Sequence, residues 1–114
     1  MSRVLIVEDE MIVAMLLEDM LADLGHEVVE TAMRLPQAVQ AARSADVELA
    51  ILDVNLDGRA SNAVADVLDA RNVPIIFASG YGAGGLEPAY RERPVLMKPF
   101  LSADLARAIA ACLA

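Results

Sequence analysis

Residues 48–53 read Glu-Leu-Ala-Ile-Leu-Asp, an apolar run that ends in a carboxylate. A short apolar run between polar residues is typical of a strand buried on both faces of a sheet. Three other runs have the same form: Arg3–Val7 before Glu8-Asp9, Pro74–Ala78 before Ser79, and Pro94–Met97 before Lys98-Pro99. In an open parallel sheet these ends lie side by side and ligands bind there, so the sequence predicts a site of acids, a hydroxyl and an ammonium group.

The runs alternate with segments of helical periodicity, which indicates βαβ units and a parallel sheet with helices on both faces. The pattern contains no internal repeat and no linker, and it predicts one domain over residues 1–114. The predicted strands are Arg3–Val7, His26–Thr31, Leu49–Asp53, Pro74–Ala78 and Val95–Met97. His26–Thr31 alternates only weakly, as expected of an edge strand.

Five helices are predicted around these strands: Glu10–Leu24, Leu35–Arg43, Ser61–Ala70, a short Glu87–Arg91 and Ser102–Leu113. Gly25 is expected to end the first helix, and Ser61 to cap the third. The fourth is expected to be short or irregular because residues 80–85 contain four glycines. The first helix should present one apolar stripe of Ile12, Val13, Leu16, Leu17, Met20, Leu21 and Leu24.

Composition limits the classes of function. With 114 residues, 57 % of them hydrophobic, the chain can bury a core. Its net charge of −8 and the lack of a basic stripe argue against direct nucleic-acid binding. The single cysteine, Cys112, excludes an internal disulfide and is interpreted as an inert buried thiol. No signal peptide or membrane-length apolar run occurs, so a cytoplasmic protein without membrane contact is expected.

The acidic residues at the strand ends have two interpretations. Glu8-Asp9 can be solvated acids of a first helical turn, or ligands that hold Mg²⁺ together with Asp53. Asp53 can cap the third helix, but Ser61 already stands at that position. Because burying a carboxylate without a partner costs free energy, Asp53 is interpreted as a phosphoacceptor.

The remaining strand ends carry a hydroxyl and a cation. Ser79 can simply open a turn, or donate a hydrogen bond to a phosphoryl oxygen on Asp53. Lys98 is the only lysine beside eight arginines, which favours a role for a compact point charge. Pro99 is a candidate for a cis peptide bond that would direct this ammonium group.

These residues together resemble a response-regulator receiver domain of bacterial two-component signalling, over essentially the whole chain. Glu8-Asp9, Asp53, Ser79 and Lys98-Pro99 follow the family's order. Residues 53–58 and 74–82 further resemble single-domain regulators named for a Phe-Ala-Thr-Gly-hydrophobic-Tyr motif. The chain departs from the family in a short loop after Asp53, in Ser79 for the commoner threonine, and in Val95 where many receivers carry an aromatic residue.

The resemblance implies a flavodoxin-like three-layer fold with strand order 2-1-3-4-5. It implies that a histidine kinase phosphorylates Asp53, that Mg²⁺ binds Glu8, Asp9, Asp53 and the backbone carbonyl of Asn55, and that the acyl phosphate hydrolyses slowly. Tyr81 would act as the switch residue. The output would be a contact with an unidentified downstream protein, made by a monomer or weak dimer through the face of Tyr81, Ala103 and Arg107.

Three alternatives remain at this stage. A flavin protein would need a phosphate-binding loop where Glu8-Asp9-Glu10 repels phosphate, and an aspartyl-phosphate hydrolase would need a nucleophilic acid on the first strand and a cap. A flavodoxin-like binding module that works without phosphorylation is the remaining alternative. An acyl-phosphate assay separates it from a receiver.

Overall fold

The computed structural model describes residues 2–56, 59–79, 94–97 and 100–113. These residues contain a five-stranded parallel sheet and a separate two-stranded antiparallel pair. The strands are β1 (Arg3–Val7), β2 (Glu27–Ala32), β3 (Leu49–Asp53), β4 (Asn55–Leu56), β5 (Arg59–Ala60), β6 (Ile75–Ser79) and β7 (Val95–Met97), and the helices are α1 (Met11–Asp23), α2 (Leu35–Ser44), α3 (Asn62–Ala70) and α4 (Ser102–Leu113). The sheet order β2-β1-β3-β6-β7 confirms the predicted fold and places β2 at an edge.

The central strands separate two hydrophobic cores, because successive side chains of a strand point to opposite faces. In β1, Leu5 lies in one core and Ile6 in the other. The first core joins the sheet to α2 and α3, and includes Leu52, Leu56, Phe77, Ala41 and Leu68. The second joins it to α1 and α4, and includes Ile51, Ile76, Leu17, Leu21, Leu105 and Ile109. Helices thus cover both faces, which explains why β3 and β6 are buried along their whole length.

Two helix boundaries follow directly from residue type. Gly25 has φ +85° and donates its N–H to Ala22, while the N–H of His26 reaches Leu21. This is the Schellman pattern, and it confirms that Gly25 ends α1. Pro36 lies in the first turn of α2, where its missing N–H costs little.

The predicted apolar stripe of α1 is wrong in part. Ile12 is 83 % exposed and Leu16 is 42 % exposed, whereas Leu17 and Leu21 are fully buried. The line that meets the sheet is Ala14, Leu17 and Leu21, with spacings of three and four residues. Because α1 contains large apolar side chains around most of its circumference, hydropathy alone does not identify which of them face the core.

Other differences are local. The strands predicted to begin at His26 and Pro74 begin one residue later, and the segment after Asp53, expected to be a plain loop, contains β4 and β5. His26, predicted to begin the second strand, lies just before β2; it is partly exposed, and its Nδ1 accepts the N–H of Ser2 at 3.1 Å. The predicted fourth helix, Glu87–Arg91, lies outside the described residues. Within the described part of the chain, no helix is long and apolar enough to cross a membrane.

Candidate phosphoacceptor site

The carboxyl ends of the parallel strands are aligned at one edge of the sheet. Val7 of β1 pairs with Leu52 of β3, so Glu8 and Asp53 are the next residues on two neighbouring strands. Asp53 pairs with Ala78 of β6, which precedes Ser79. Ser79 in turn pairs with Met97, the residue before Lys98 in the sequence. The register therefore brings the predicted site residues of three strands to one edge.

Buried polar side chains concentrate at this edge. Among the described residues, the buried polar or charged ones are Ser2, Glu8, Asp53, Ser61 and Ser79. Glu8 is 1 %, Asp53 6 % and Ser79 4 % exposed, and all three stand at carboxyl ends of strands. Burying a carboxylate costs free energy unless its charge is compensated. Two carboxylates at adjacent strand ends are therefore typical of a binding or catalytic site rather than of a stabilising feature.

The acids that follow β1 form a compact group. One carboxylate oxygen each of Glu8, Asp9 and Glu10 lies within 4.8 Å of the others. Glu8 is buried, Asp9 is partly buried and Glu10 is exposed. The backbone N–H of Glu10 donates to Oε1 of Glu8 at 3.2 Å, which turns that side chain toward the start of α1. Three carboxylates so close repel one another, and a cation relieves the repulsion.

The donor chemistry of this edge fits Mg²⁺. Mg²⁺ takes hard oxygen ligands, usually one or two carboxylates supplemented by water and phosphate oxygens. Glu8 and Asp9 supply carboxylate oxygens from one strand end, and Asp53 stands at the neighbouring end. Asn55, whose backbone carbonyl is a further expected ligand, lies in β4 two residues after Asp53. The expected ligand set is thus carried by two adjacent strand ends.

A hydrogen-bonded connection holds the backbone that follows Asp53. The N–H of Val54 donates to the carbonyl of Ala78 at 3.1 Å, continuing the ladder of the sheet. The carbonyl of Val54 accepts the N–H of Ser61 at 3.1 Å and its Oγ at 3.2 Å. Between these residues Leu56 is fully buried in the core. The segment is therefore attached at both ends and in its middle.

Several expected residues lie outside the described part of the chain. These are Lys98, Pro99 and Tyr81, so their predicted roles stay predictions. Of the residues predicted for the output surface, Ala103 and Arg107 both lie in α4. Arg107 donates a hydrogen bond to the carboxylate of Asp104 in the preceding turn.

Two features of the site were missed by sequence reasoning. Glu10, which is not among the expected metal ligands, is exposed, and its carboxylate belongs to the acidic group. Ser61 does stand at the N-cap position of α3, but its hydroxyl makes no capping bond and donates to Val54 instead. The sequence does contain a signal for the pairing of β4 with β5: Asp57-Gly58 stands between the paired residues Leu56 and Arg59 in the sequence, and Asp-Gly favours two-residue hairpins.

Comparisons with known proteins agree with this geometry. The family model of the response regulator receiver domain matches residues 4–110. The phyllosphere-induced regulator PhyR of Methylorubrum extorquens is 35 % identical over 98 % of the chain, which covers 43 % of PhyR. The chain spans about half the length of the curated relatives it matches.

Solved structures extend the comparison. The solution structure of SdrG from Sphingomonas melonis Fr1 has a TM-score of 0.87 and 40 % identity, and covers 100 % of this chain and 98 % of SdrG. The BeF3-activated conformation of SdrG, from Pseudomonas melonis Fr1, has a TM-score of 0.82 and 40 % identity over 98 % of this chain and 96 % of that chain.

Proposed function

The chain belongs to the response regulator receiver domain family, and we propose that it accepts a phosphoryl group on Asp53 and signals through a protein contact. The observation that carries the proposal is the burial of Asp53 beside Glu8 and Ser79 at aligned strand ends. Residues 1–114 would act as one receiver unit in the cytoplasm.

The proposed transfer is an in-line displacement. A carboxylate oxygen of Asp53 attacks the phosphorus of the donor, and an acyl phosphate P–O bond forms. The P–N bond of a kinase phosphohistidine, or the P–O bond of acetyl phosphate, breaks and its electron pair leaves with the donor. Bound Mg²⁺ would neutralise charge on the transferred group, since such reactions depend mainly on positioning and charge stabilisation.

The chain's own side chains have distinct parts in this proposal. Asp53 is the nucleophile, Glu8 and Asp9 hold the cation, and the hydroxyl of Ser79 donates to a phosphoryl oxygen. Lys98 pairs with another phosphoryl oxygen, and Tyr81 responds to the movement of Ser79. SdrG, which is 40 % identical, has a BeF3-activated conformation, and this supports the proposal of a response of this kind.

The direct test is incubation with acetyl phosphate and Mg²⁺. We expect the intact mass to increase by one phosphoryl group, and the label to disappear under mild alkali as an acyl phosphate does. Peptide mapping after reduction with borohydride should place the modification at residue 53. A protein that takes up no label under these conditions would instead fit the phosphorylation-independent binding module.

Mg²⁺ is expected to stabilise the folded protein. A ligand that binds only the native state adds about 2.7 kcal/mol to the free energy of unfolding at 100 times its Kd. Thermal unfolding in a millimolar MgCl₂ series, with ionic strength held constant by NaCl, measures this. Asp9→Asn should reduce the shift more than Glu10→Gln, because Glu10 is exposed and its charge is screened by solvent. A melting temperature indifferent to Mg²⁺ would contradict the predicted site.

Lys98→Arg is expected to impair the response although the charge is kept. A guanidinium is planar and forked and does not replace a compact ammonium group in a site shaped for a point charge. We expect the apparent affinity for beryllofluoride, measured by amide chemical shifts, to fall about tenfold or more, since a charge-assisted bond is worth about 1.5–3 kcal/mol. Arg43→Lys at the end of α2 is the matched control and should change nothing. Equal titrations for Lys98→Arg and the parent would refute the role of this lysine.

The partners are proposed by class. A sensor histidine kinase would supply the phosphoryl group, and a downstream protein would contact the surface that includes Ala103 and Arg107 of α4. The protein would act as a monomer or weak dimer without binding nucleic acid or membrane. Hydrolysis of its own acyl phosphate would be its only turnover.

A further inference from the structure

Among the described residues, Ser61 is a buried polar side chain that the proposed chemistry does not use, and its partner Val54 directly follows Asp53. Ser61 is 1 % exposed and follows the β4–β5 pair at the start of α3. A serine at this position normally accepts a backbone N–H of the first helical turn through its hydroxyl oxygen. No such capping bond is present here.

The hydroxyl is instead directed back toward the strand that carries Asp53. Ser61 donates both its Oγ–H and its backbone N–H to the carbonyl of Val54, at 3.2 and 3.1 Å. A carbonyl oxygen has two lone pairs, so both donors are accommodated. The bonds close a loop whose first residue follows Asp53 directly.

The same serine also begins α3. Its carbonyl accepts the N–H groups of Val64 and Ala65 at 3.0 and 3.1 Å. Ser61 thus connects a helix that is packed into the core to the backbone immediately after Asp53. The N–H of Val54 is meanwhile bonded to Ala78 of β6. Val54 is therefore held from two sides, and the peptide between Asp53 and Asn55 has little freedom to move.

We infer that Ser61 is a positioning residue: its buried hydroxyl holds the carbonyl of Val54 and so keeps the backbone after Asp53 in the conformation that binds Mg²⁺. The inference rests on the proposed function. Without the hydroxyl, the backbone N–H of Ser61 would remain the single donor from this residue to Val54. The segment would then sample more conformations, and Mg²⁺ would have to bind the fraction that is competent.

The test compares variants that differ in the hydroxyl alone. Ser61→Thr keeps the hydroxyl donor. Valine has nearly the same shape as threonine but no hydroxyl, so any effect of the added methyl group is common to Ser61→Thr and Ser61→Val. Ser61→Ala removes the hydroxyl without adding volume. Ser44→Ala is the control, because Ser44 also donates its hydroxyl to a backbone carbonyl, that of Gln40 at 2.9 Å, but on the exposed end of α2.

Isothermal titration with MgCl₂ at constant ionic strength gives the Kd of each protein. We expect Ser61→Ala and Ser61→Val to raise the Kd about fivefold, the factor that corresponds to the net free energy of one hydrogen bond. Ser61→Thr should bind more tightly than Ser61→Val by a similar factor, and Ser44→Ala should equal the parent. Amide hydrogen exchange without Mg²⁺ should be faster at Asn55 and Leu56 in the two hydroxyl-free variants only.

The outcomes separate this inference from the proposed function. If the parent binds Mg²⁺ and Ser61→Ala binds it equally well, Ser61 has only a structural role and the inference is wrong while the proposed function stands. The same holds if Ser61→Thr and Ser61→Val are indistinguishable in Kd and in exchange. A parent that binds no Mg²⁺ refutes the proposed function, and the inference fails with it.

Discussion

Asp53→Asn is expected to abolish phosphorylation by acetyl phosphate. An amide oxygen carries no negative charge and is a poor nucleophile, so no acyl phosphate can form at this position. The substitution preserves the shape of the side chain, which is 6 % exposed at the end of β3, and we expect the variant to stay folded. Intact-protein mass after incubation with acetyl phosphate and Mg²⁺ measures the loss.

Asp19→Asn is the matched control, since Asp19 is an exposed aspartate in the middle of α1. Its labelling should equal that of the parent. Circular dichroism and thermal unfolding show whether both variants are folded, so that a loss of labelling can be assigned to the missing nucleophile. Label that persists in Asp53→Asn, whether on Glu8, Asp9 or another residue, would show that Asp53 is not the acceptor.

Leu17→Ala is expected to destabilise the protein by about 3–5 kcal/mol. Leu17 is 1 % exposed in the core between α1 and the sheet, and replacing a buried leucine by alanine removes its transfer free energy and leaves a cavity. Native domains are stable by only about 5–15 kcal/mol, so this is a large fraction of the total. Urea unfolding at equilibrium gives the free energy of unfolding.

Leu16→Ala, at the adjacent residue, is the control for the same change of side chain. Leu16 is 42 % exposed, so less apolar area returns to water, and alanine is also a better helix former. We expect a loss of about 1 kcal/mol or less. If Leu16→Ala were as damaging as Leu17→Ala, the rotation of α1 about its axis would differ from the one described.

Much of the fold could be predicted from the sequence because its signals are local. The strands Arg3–Val7, Leu49–Asp53 and Val95–Met97 have the predicted bounds, since each coincides with a short, mostly apolar run of residues. The end of α1 could be predicted from Gly25, because a left-handed φ favours glycine. Asp53 and Ser79 could be singled out because each polar side chain ends an apolar run.

The rotation of α1 could not be predicted in this way. Leu16 and Leu17 have the same hydropathy, and Ile12 is as apolar as any core residue. Which of them is buried depends on how the helix axis sits on the sheet, and the residues of α1 that become buried are Ala14, Leu17 and Leu21. That choice is made by packing between elements distant in the chain.

The amino-acid sequence by itself determined which apolar runs become strands of the sheet and which chemical groups stand at their ends. Only the tertiary structure decided that Glu10 joins Glu8 and Asp9, and that the hydroxyl of Ser61 reaches Val54 rather than the first turn of α3. The physical reason is that a strand or a helix terminus is set by neighbouring residues, whereas a hydrogen bond across a loop depends on where the packed core places both of its ends.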